Sequence, residues 1–461
     1  MSSNRLPENK MGIMPVGKLL LNMALPMIIS MLVQALYNVV DSVYVSMISE
    51  TGNEVTALSL AFPIQNLQIG FAVGIGVGVN ALLSKSLGEK NYSMANFAAG
   101  NGLLLALICT AAFMLFGFFG VRPYYEMQNI STETAEAGIA YSSICCIFTL
   151  GVFLEILFER LLQATGRTLY TMITQGVGAI ANIVLDPVFI FGVEWLNIPA
   201  MGTAGAAIAT VFGQWLAAFL ALIFNLACNP DVKLGAKYVK PNREAIRPIL
   251  TVGVPSAIMN GIGSVTNFTM NQILLGFKAV GETASGVFGI YFKLQSFFFM
   301  PLFGLNNAAI SIIAYNYGAR KPERIMRTLK VAFCAALSFM TLGTLAFQLI
   351  PDVLLNFFNP SEAFMEIGCA ALKTISFHFP VAAFSIVMIS SFQALGNGIY
   401  STIVSMCRQL VALLPAAYLL SLTGNVVNVW WAFCVAEVVS AAICLAFFLR
   451  IYRRKIKPLY E

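Results

Sequence analysis

The sequence predicts an all-α integral membrane protein of about 12 transmembrane helices, set as two pseudo-symmetric six-helix lobes with both termini cytoplasmic. Three observations predict it: an extreme apolar composition, a one-sided distribution of basic residues, and an internal repeat. Hydrophobic residues make up 58% of the 461 positions and charged ones 10%, with a mean hydropathy of +0.80. A soluble domain has about 45–50% apolar and about 25% charged residues. Lipid must therefore cover part of this apolar surface.

A crossing helix needs roughly 20 apolar residues. Such segments fall at about 19–45, 56–83, 94–120, 137–160, 168–193, 201–227, 247–276, 283–315, 326–350, 365–395, 402–423 and 426–450. Several exceed the minimum, which predicts tilted or Pro-broken helices. The stretch from Met1 to Lys10 is polar, and no small-residue cleavage site follows the first apolar run. That run is expected to be a retained helix and not a signal peptide.

Twelve spans with the N-terminus inside return the C-terminus inside. Of the 27 Lys and Arg residues, 23 then lie on the inner side, and only Arg122, Lys278, Lys293 and Lys373 fall toward the outside. A missed or extra span would scramble this segregation, so the positive-inside bias supports an even topology. The net charge of +6 suits an anionic inner leaflet, and no nucleic-acid partner is implied.

The chain repeats itself at an offset of 230 residues. Phe62 and Gln65 recur as Phe292 and Gln295, Gly88 as Gly318, Tyr170 as Tyr400, and Gln163-Ala164-Thr165-Gly166 as Gln393-Ala394-Leu395-Gly396. Pro26 corresponds to Pro255 with a one-residue slip. Each copy holds an even number of spans, so both share one orientation, and a substrate path between them is expected. The expected division is 1–228 for the N-lobe (spans 1–6), 229–245 for a cytoplasmic linker, and 246–461 for the C-lobe (spans 7–12).

Two acids fall inside spans, Asp41 near the outer end of the first and Asp186 near the outer end of the fifth. A carboxylate inside a membrane costs about 2.5–3.5 kcal/mol on insertion scales and signals function by default. Asn182 lies one turn before Asp186 on the same face. Tyr141 and Thr203 begin the fourth and sixth spans on the outer side. These five residues form the candidate cation-coupling site, able to share a proton or to hold a transient sodium ion. The plainer alternative is that both acids cap helix ends near the headgroups. Against it, the repeat puts Asn271 opposite Asp41 and Ala416 opposite Asp186, so the acids belong to one lobe only. Pro26, roughly four turns below Asp41, is a candidate hinge.

Other features read as structure. The nine cysteines include no CxxC pair and are expected to be small packing residues, so no structural metal is implied. Gly74, Gly76 and Gly78 fall within a span and read as close helix packing. His378, the one histidine, reads best as a satisfied polar residue in the bundle. Glu159 beside Arg160 reads as an interfacial pair. Glu155 and Glu437 sit deeper with no role assigned, and Lys293 and Lys373 read as snorkelling side chains. There is no GxxxxGK[ST], HExxH or GxSxG motif, so neither an enzyme nor a cofactor is expected.

The doubled six-helix plan, Pro26 with Asp41, Asn182 with Asp186, the run from Glu159 to Arg167 and the run from Tyr315 to Arg320 together resemble the multidrug and toxic compound extrusion (MATE) family, in its bacterial MepA-like and DinF-like branch. The resemblance covers essentially the whole chain. It implies a monomeric multi-pass protein of the bacterial cell membrane, a secondary antiporter exporting bulky, mostly cationic or aromatic drugs in exchange for protons or sodium ions. It also implies that Asp41 and Asp186 are the coupling acids and that Tyr141, Asn182 and Thr203 support them. The family's other branch carries acids in its seventh and tenth helices. Here the seventh has none, which weakens any expectation of a C-lobe cation site. Substrate contacts are expected in the inter-lobe cavity without being assigned to residues. The chief alternative is a flippase for lipids or lipid-linked oligosaccharides with the same architecture. Few basic groups inside spans, against the acids of the N-lobe, favour export.

Overall fold

The computed structural model describes residues 9–48, 53–128, 130–193, 197–358 and 361–461; the polar stretch before Asn9 lies outside the described residues. Among these residues the chain is helical apart from short connections and one isolated bridge between Val193 and Ile198. Ten helices are long and apolar enough to cross a membrane, and two bent pairs bring the count to the expected 12.

In the N-lobe, span 1 is Val16–Ser46, span 2 Asn53–Gly88, span 3 Tyr92–Phe119, span 5 Thr168–Phe191 and span 6 Gly202–Cys228. In the C-lobe, span 7 is Arg243–Leu275, span 8 Gly281–Gly318, span 9 Pro322–Leu349, span 11 Gly398–Ser421 and span 12 Val426–Leu459. Many run beyond the apolar stretches read from sequence, because helices continue into the basic interface.

Spans 4 and 10 depart from the expected single helices. Span 4 is Thr132–Ile147 followed by Leu150–Ala164, bent by 47°, and span 10 is Glu362–Ser376 followed by Phe379–Ala394, bent by 48°. The two breaks lie one repeat apart. In hydrocarbon every amide must find a partner, and tighter bonds supply one. The Thr149 amide donates to the Cys146 carbonyl (3.4 Å), Gly151 to Phe148 (3.2 Å) and His378 to Ile375 (3.0 Å). Span 1, by contrast, runs through Pro26 without a break, and the Ser30 hydroxyl donates to the Pro26 carbonyl at 3.0 Å.

The repeat extends to the backbone. Lys90 and Arg320, one repeat apart, share positive φ (59° and 53°), as do Gly166 and Gly396 (82° and 73°). The lobes meet reciprocally as well. Gly88 lies against the backbone of Tyr315 and Gly318 against that of Lys85, so that a Cβ on either glycine would overlap a carbonyl. Higher in the bundle, a Cβ on Gly74 would lie 2.5 Å from the Gly253 carbonyl, and one on its repeat partner Gly304 would lie 2.8 Å from the Ile28 nitrogen. Span 2 thus packs on span 7 as span 8 packs on span 1, through small residues that let backbones touch.

Polar bonds close the same basic side. The Ser311 hydroxyl donates to Asn80 Oδ1 at 3.0 Å. A short helix, Lys10–Ile13, bridges the lobes: Asn9 donates to the Thr165 carbonyl (3.0 Å), while Arg324 donates to the carbonyls of Met11 (2.9 Å) and Met14 (2.7 Å) and Lys321 to that of Gly12 (2.9 Å). Cations on the free carbonyls of a helix end are favourable.

Gly318→Val should therefore force spans 2 and 8 apart. Overpacking of this kind costs about 1–3 kcal/mol, which should appear as a lowered melting temperature in detergent. It should also raise the reactivity of a cysteine introduced at Ser311 toward a water-soluble maleimide.

Candidate functional site

The outer half of the N-lobe holds a polar pocket between spans 1 and 5. Asp186 is buried, and Asn182 Nδ2 donates to its Oδ1 at 3.3 Å and to Thr210 Oγ1 of span 6 at 3.4 Å. Asp41 is half-buried and lies within electrostatic reach of Asp186. Its Oδ1, together with Asp186 Oδ2 and Asn182 Oδ1, is buried without a donor. Leaving one such acceptor unsatisfied costs about 1–3 kcal/mol. Three in one pocket make a set poised for a proton or a small hard cation.

Tyr141 is buried close by, within reach of the Asp41 charge, and its hydroxyl accepts from Gln65 Nε2 at 2.9 Å. Thr203 is turned to another task, because its hydroxyl donates to the Ala137 carbonyl at 3.1 Å and ties span 6 to the start of span 4. An apolar cluster of Val45, Ala61, Tyr141, Cys145, Ile190, Ala206 and Ala207 packs at the outer end of the lobe. Of the five sequence-derived residues, Asp41, Asn182, Asp186 and Tyr141 come together, while Thr203 braces the helices around them. Sequence reading did not single out Gln65 or Thr210 for this pocket, or Tyr37, which feels the charges of both acids. Gln65 stands out in the sequence only as a repeat match to Gln295.

The main cavity lies between the lobes, with a volume of about 720 Å³. Tyr37 and Asn182 line it, whereas Asp41 and Asp186 sit behind that wall. Glu155, Glu159 and Arg160 face it from span 4, and His378, Arg408 and Glu437 from the C-lobe. The reading of Glu159 and Arg160 as an interfacial pair is thus corrected. Both are buried, Glu159 held by Thr174 Oγ1 (2.7 Å) and Gln175 Nε2 (3.0 Å), and Arg160 donating to Gln163 Oε1 (3.0 Å). Gly76 makes room for the Arg160 stem, which a Cβ there would approach to 2.7 Å. Arg160 and Arg408, counted with the inner basic set, face the cavity instead.

In the C-lobe, the His378 ring nitrogen Nε2 lies 3.2 Å from the Tyr291 hydroxyl, and Nδ1 lies 4.0 Å from Glu437 Oε2. Arg408 pairs with the same carboxylate oxygen at 3.5 Å. His378 is therefore partnered on one side only. Lys293 and Lys373 are exposed.

A symmetric pair of lobes, broken helices at matching places and a central cavity set the architecture, and its identity follows from comparison. The family model MatE matches residues 26–188 and 255–419, one copy in each lobe. The chain belongs to the MatE family. This MatE chain is 25% identical over 442 residues to the multidrug export protein MepA of Staphylococcus aureus (strain MRSA252), covering 95% of this chain and 94% of that one. An outward-facing multidrug resistance MATE family transporter of the MOP superfamily shares its fold, with a TM-score of 0.90 at 23% identity over 99% of this chain and 100% of the other. So does a MOP superfamily transporter from Pyrococcus furiosus whose binding pocket is described as having reverse polarity, again with a TM-score of 0.90 at 23% identity, covering all of both chains. The MatE chain is accordingly a multi-pass plasma-membrane protein of a transporter family. One fold evidently hosts pockets of different polarity, so substrate chemistry must be argued from the residues of this cavity.

The Thr174 and Gln175 donors stabilise a buried Glu159 carboxylate. Thr174→Val and Gln175→Leu should each destabilise the protein by about 1–3 kcal/mol, read as a lower melting temperature in detergent.

Proposed function

We propose that this protein is a secondary antiporter that exports bulky, mostly cationic or aromatic compounds in exchange for protons or sodium ions. The observation that carries the proposal is the set of three unsatisfied acceptor oxygens, on Asp41, Asn182 and Asp186, directly behind the wall of the inter-lobe cavity. Two carboxylates close together favour uptake of a cation, because like charges in a dry site oppose full ionisation. A proton and a sodium ion both suit them.

Closure on the basic side supports an outward-facing cavity in this state. In the proposed cycle, a coupling cation enters from outside and binds Asp41 and Asp186. The pocket contracts around Asn182 and Tyr141, span 1 bends at Pro26, and substrate is released outward. The lobes, 1–228 and 246–461, then rock about the linker 229–245 and discharge the cation inside. Exchange requires substrate and cation to favour different states, since a ligand with equal affinity for both shifts nothing. The drug-export role of MepA supports the substrate class, and the monomer is the functional unit of this scheme.

Counterflow in proteoliposomes tests it. Wild type should move a cationic dye under a proton or a sodium gradient, and Asp41→Asn and Asp186→Asn should each lower gradient-driven flux at least tenfold. Wild-type flux in both variants would remove the coupling site from Asp41 and Asp186. A protein that moves lipid-linked sugar but no dye would instead be a flippase.

A further inference from the structure

Beside the buried Glu159 and Arg160 of span 4, which are held by Thr174, Gln175 and Gln163, the cavity walls leave two charged groups open to a ligand, one of each sign. On the N-lobe wall Glu155 is half-buried, lines the cavity, and makes no hydrogen bond or ion pair to any described residue. On the C-lobe wall the accessible group is Arg408, whose side chain is 23% exposed, while its partner Glu437 is 4% exposed and lies behind it. The basic group is thus offered to the cavity and the acid is withheld as its counter-ion.

Arg408 stands on a π-helical turn, Cys407–Leu413, inside span 11. Such turns shift the phase of a helix and occur often at functional sites. Here Ser405, Arg408, Gln409 and Leu413 all line the cavity. A guanidinium carries five N–H donors in one plane. One edge of Arg408 meets Glu437 at 3.5 Å, and no other described residue accepts from it. The free edge matches the two oxygens of a carboxylate. Glu437 Oε1 and His378 Nδ1 are buried without partners, so the group behind Arg408 is built for charge and not for packing alone. Phe292, Phe299 and Phe433 line the same cavity and supply flat apolar surface.

We propose that Arg408 is a specificity-determining residue, receiving the carboxylate of a zwitterionic aromatic substrate whose cationic centre lies toward Glu155. This rests on the export reading and assigns a residue to one part of its substrate. At the same offset Arg408 corresponds to Gly178 and Glu155 to Ser385, so neither of these two groups is repeated in the other lobe. A bound zwitterion therefore has one favoured orientation across the inter-lobe gap.

Rhodamine B and its ethyl ester test the assignment. They share one cationic ring system, and only the former carries a free carboxylate. Affinities for the full-length protein in detergent are read by fluorescence anisotropy, and flux in proteoliposomes by counterflow. Wild type should bind both dyes. In Arg408→Gln the ratio of rhodamine B affinity to ester affinity should fall roughly tenfold, and Arg408→Lys should restore part of it. Because Arg408→Gln leaves Glu437 buried without a counter-ion, the double variant Arg408→Gln/Glu437→Gln is measured too and should show the same fall. Glu155→Gln should weaken both dyes alike. An unchanged ratio in the single and double variants overturns the assignment and makes Arg408 merely the counter-ion of Glu437. Wild type that binds the ester but not rhodamine B overturns it as well. If both dyes bind with the expected ratios but neither moves under any gradient, the export reading fails while Arg408 remains the carboxylate-binding residue.

Discussion

The backbone contact between spans 2 and 8 at Gly88 and Gly318 fixes the rest of the molecule. Lipid tails are as apolar as leucine, so helices in a bilayer gain little by hiding apolar side chains from lipid and associate by close packing and hydrogen bonds. Where the glycines sit, the two backbones meet without side chains between them. The lobes are pinned at the basic end, and the cavity lies between them. Asn80, Ser311, Arg324 and the Lys10–Ile13 helix reinforce the pin with hydrogen bonds. A seal made of backbone and polar groups exposes little apolar surface to water when it opens, unlike one made of leucines.

The scaffold is nearly symmetric, and the chemistry placed on it is not. Breaks in spans 4 and 10, positive-φ turns at Lys90 and Arg320, and reciprocal glycine contacts all recur at one offset. The pair Asp41 and Asp186 belongs to the first lobe, and the Arg408, Glu437 and His378 group to the second. A duplicated framework supplies two rigid bodies and an interface, and substitution within each copy then supplies polarity across it.

The spans and the repeat were legible in the sequence because hydropathy and a constant offset are one-dimensional signals. So was the rarity of Asp41 and Asp186 inside spans. Helical phase was not legible. In a bundle whose lipid face and interior are both apolar, periodicity does not say which way Glu155, Arg160 or Arg408 points. The π-helical turn adds a phase shift that composition cannot register. The break after Ile147 was equally hidden, since hydropathy runs on across it and no proline marks it, whereas its counterpart has Pro380 nearby. Thr203 shows the opposite limit: its depth was readable, but its donation to Ala137 depends on how two helix ends approach each other.

The proposed ion site and the cavity share two residues, and this decides how coupling could be carried. Asn182 lines the cavity while its amide serves Asp186 and Thr210, and Tyr37 lines it while lying in the field of both acids. A hundredfold change in substrate affinity needs about 2.7 kcal/mol of differential free energy. One hydrogen bond to a charged group contributes about 1.5–3 kcal/mol. Neutralising Asp186, or giving its carboxylate to a metal ion, weakens its hold on the Asn182 amide and frees that amide to turn toward or away from the cavity. A single rearranged bond in the wall therefore has the magnitude that exchange requires. No large repacking of the N-lobe is needed for the chemical signal itself, only for its conversion into movement of the lobes.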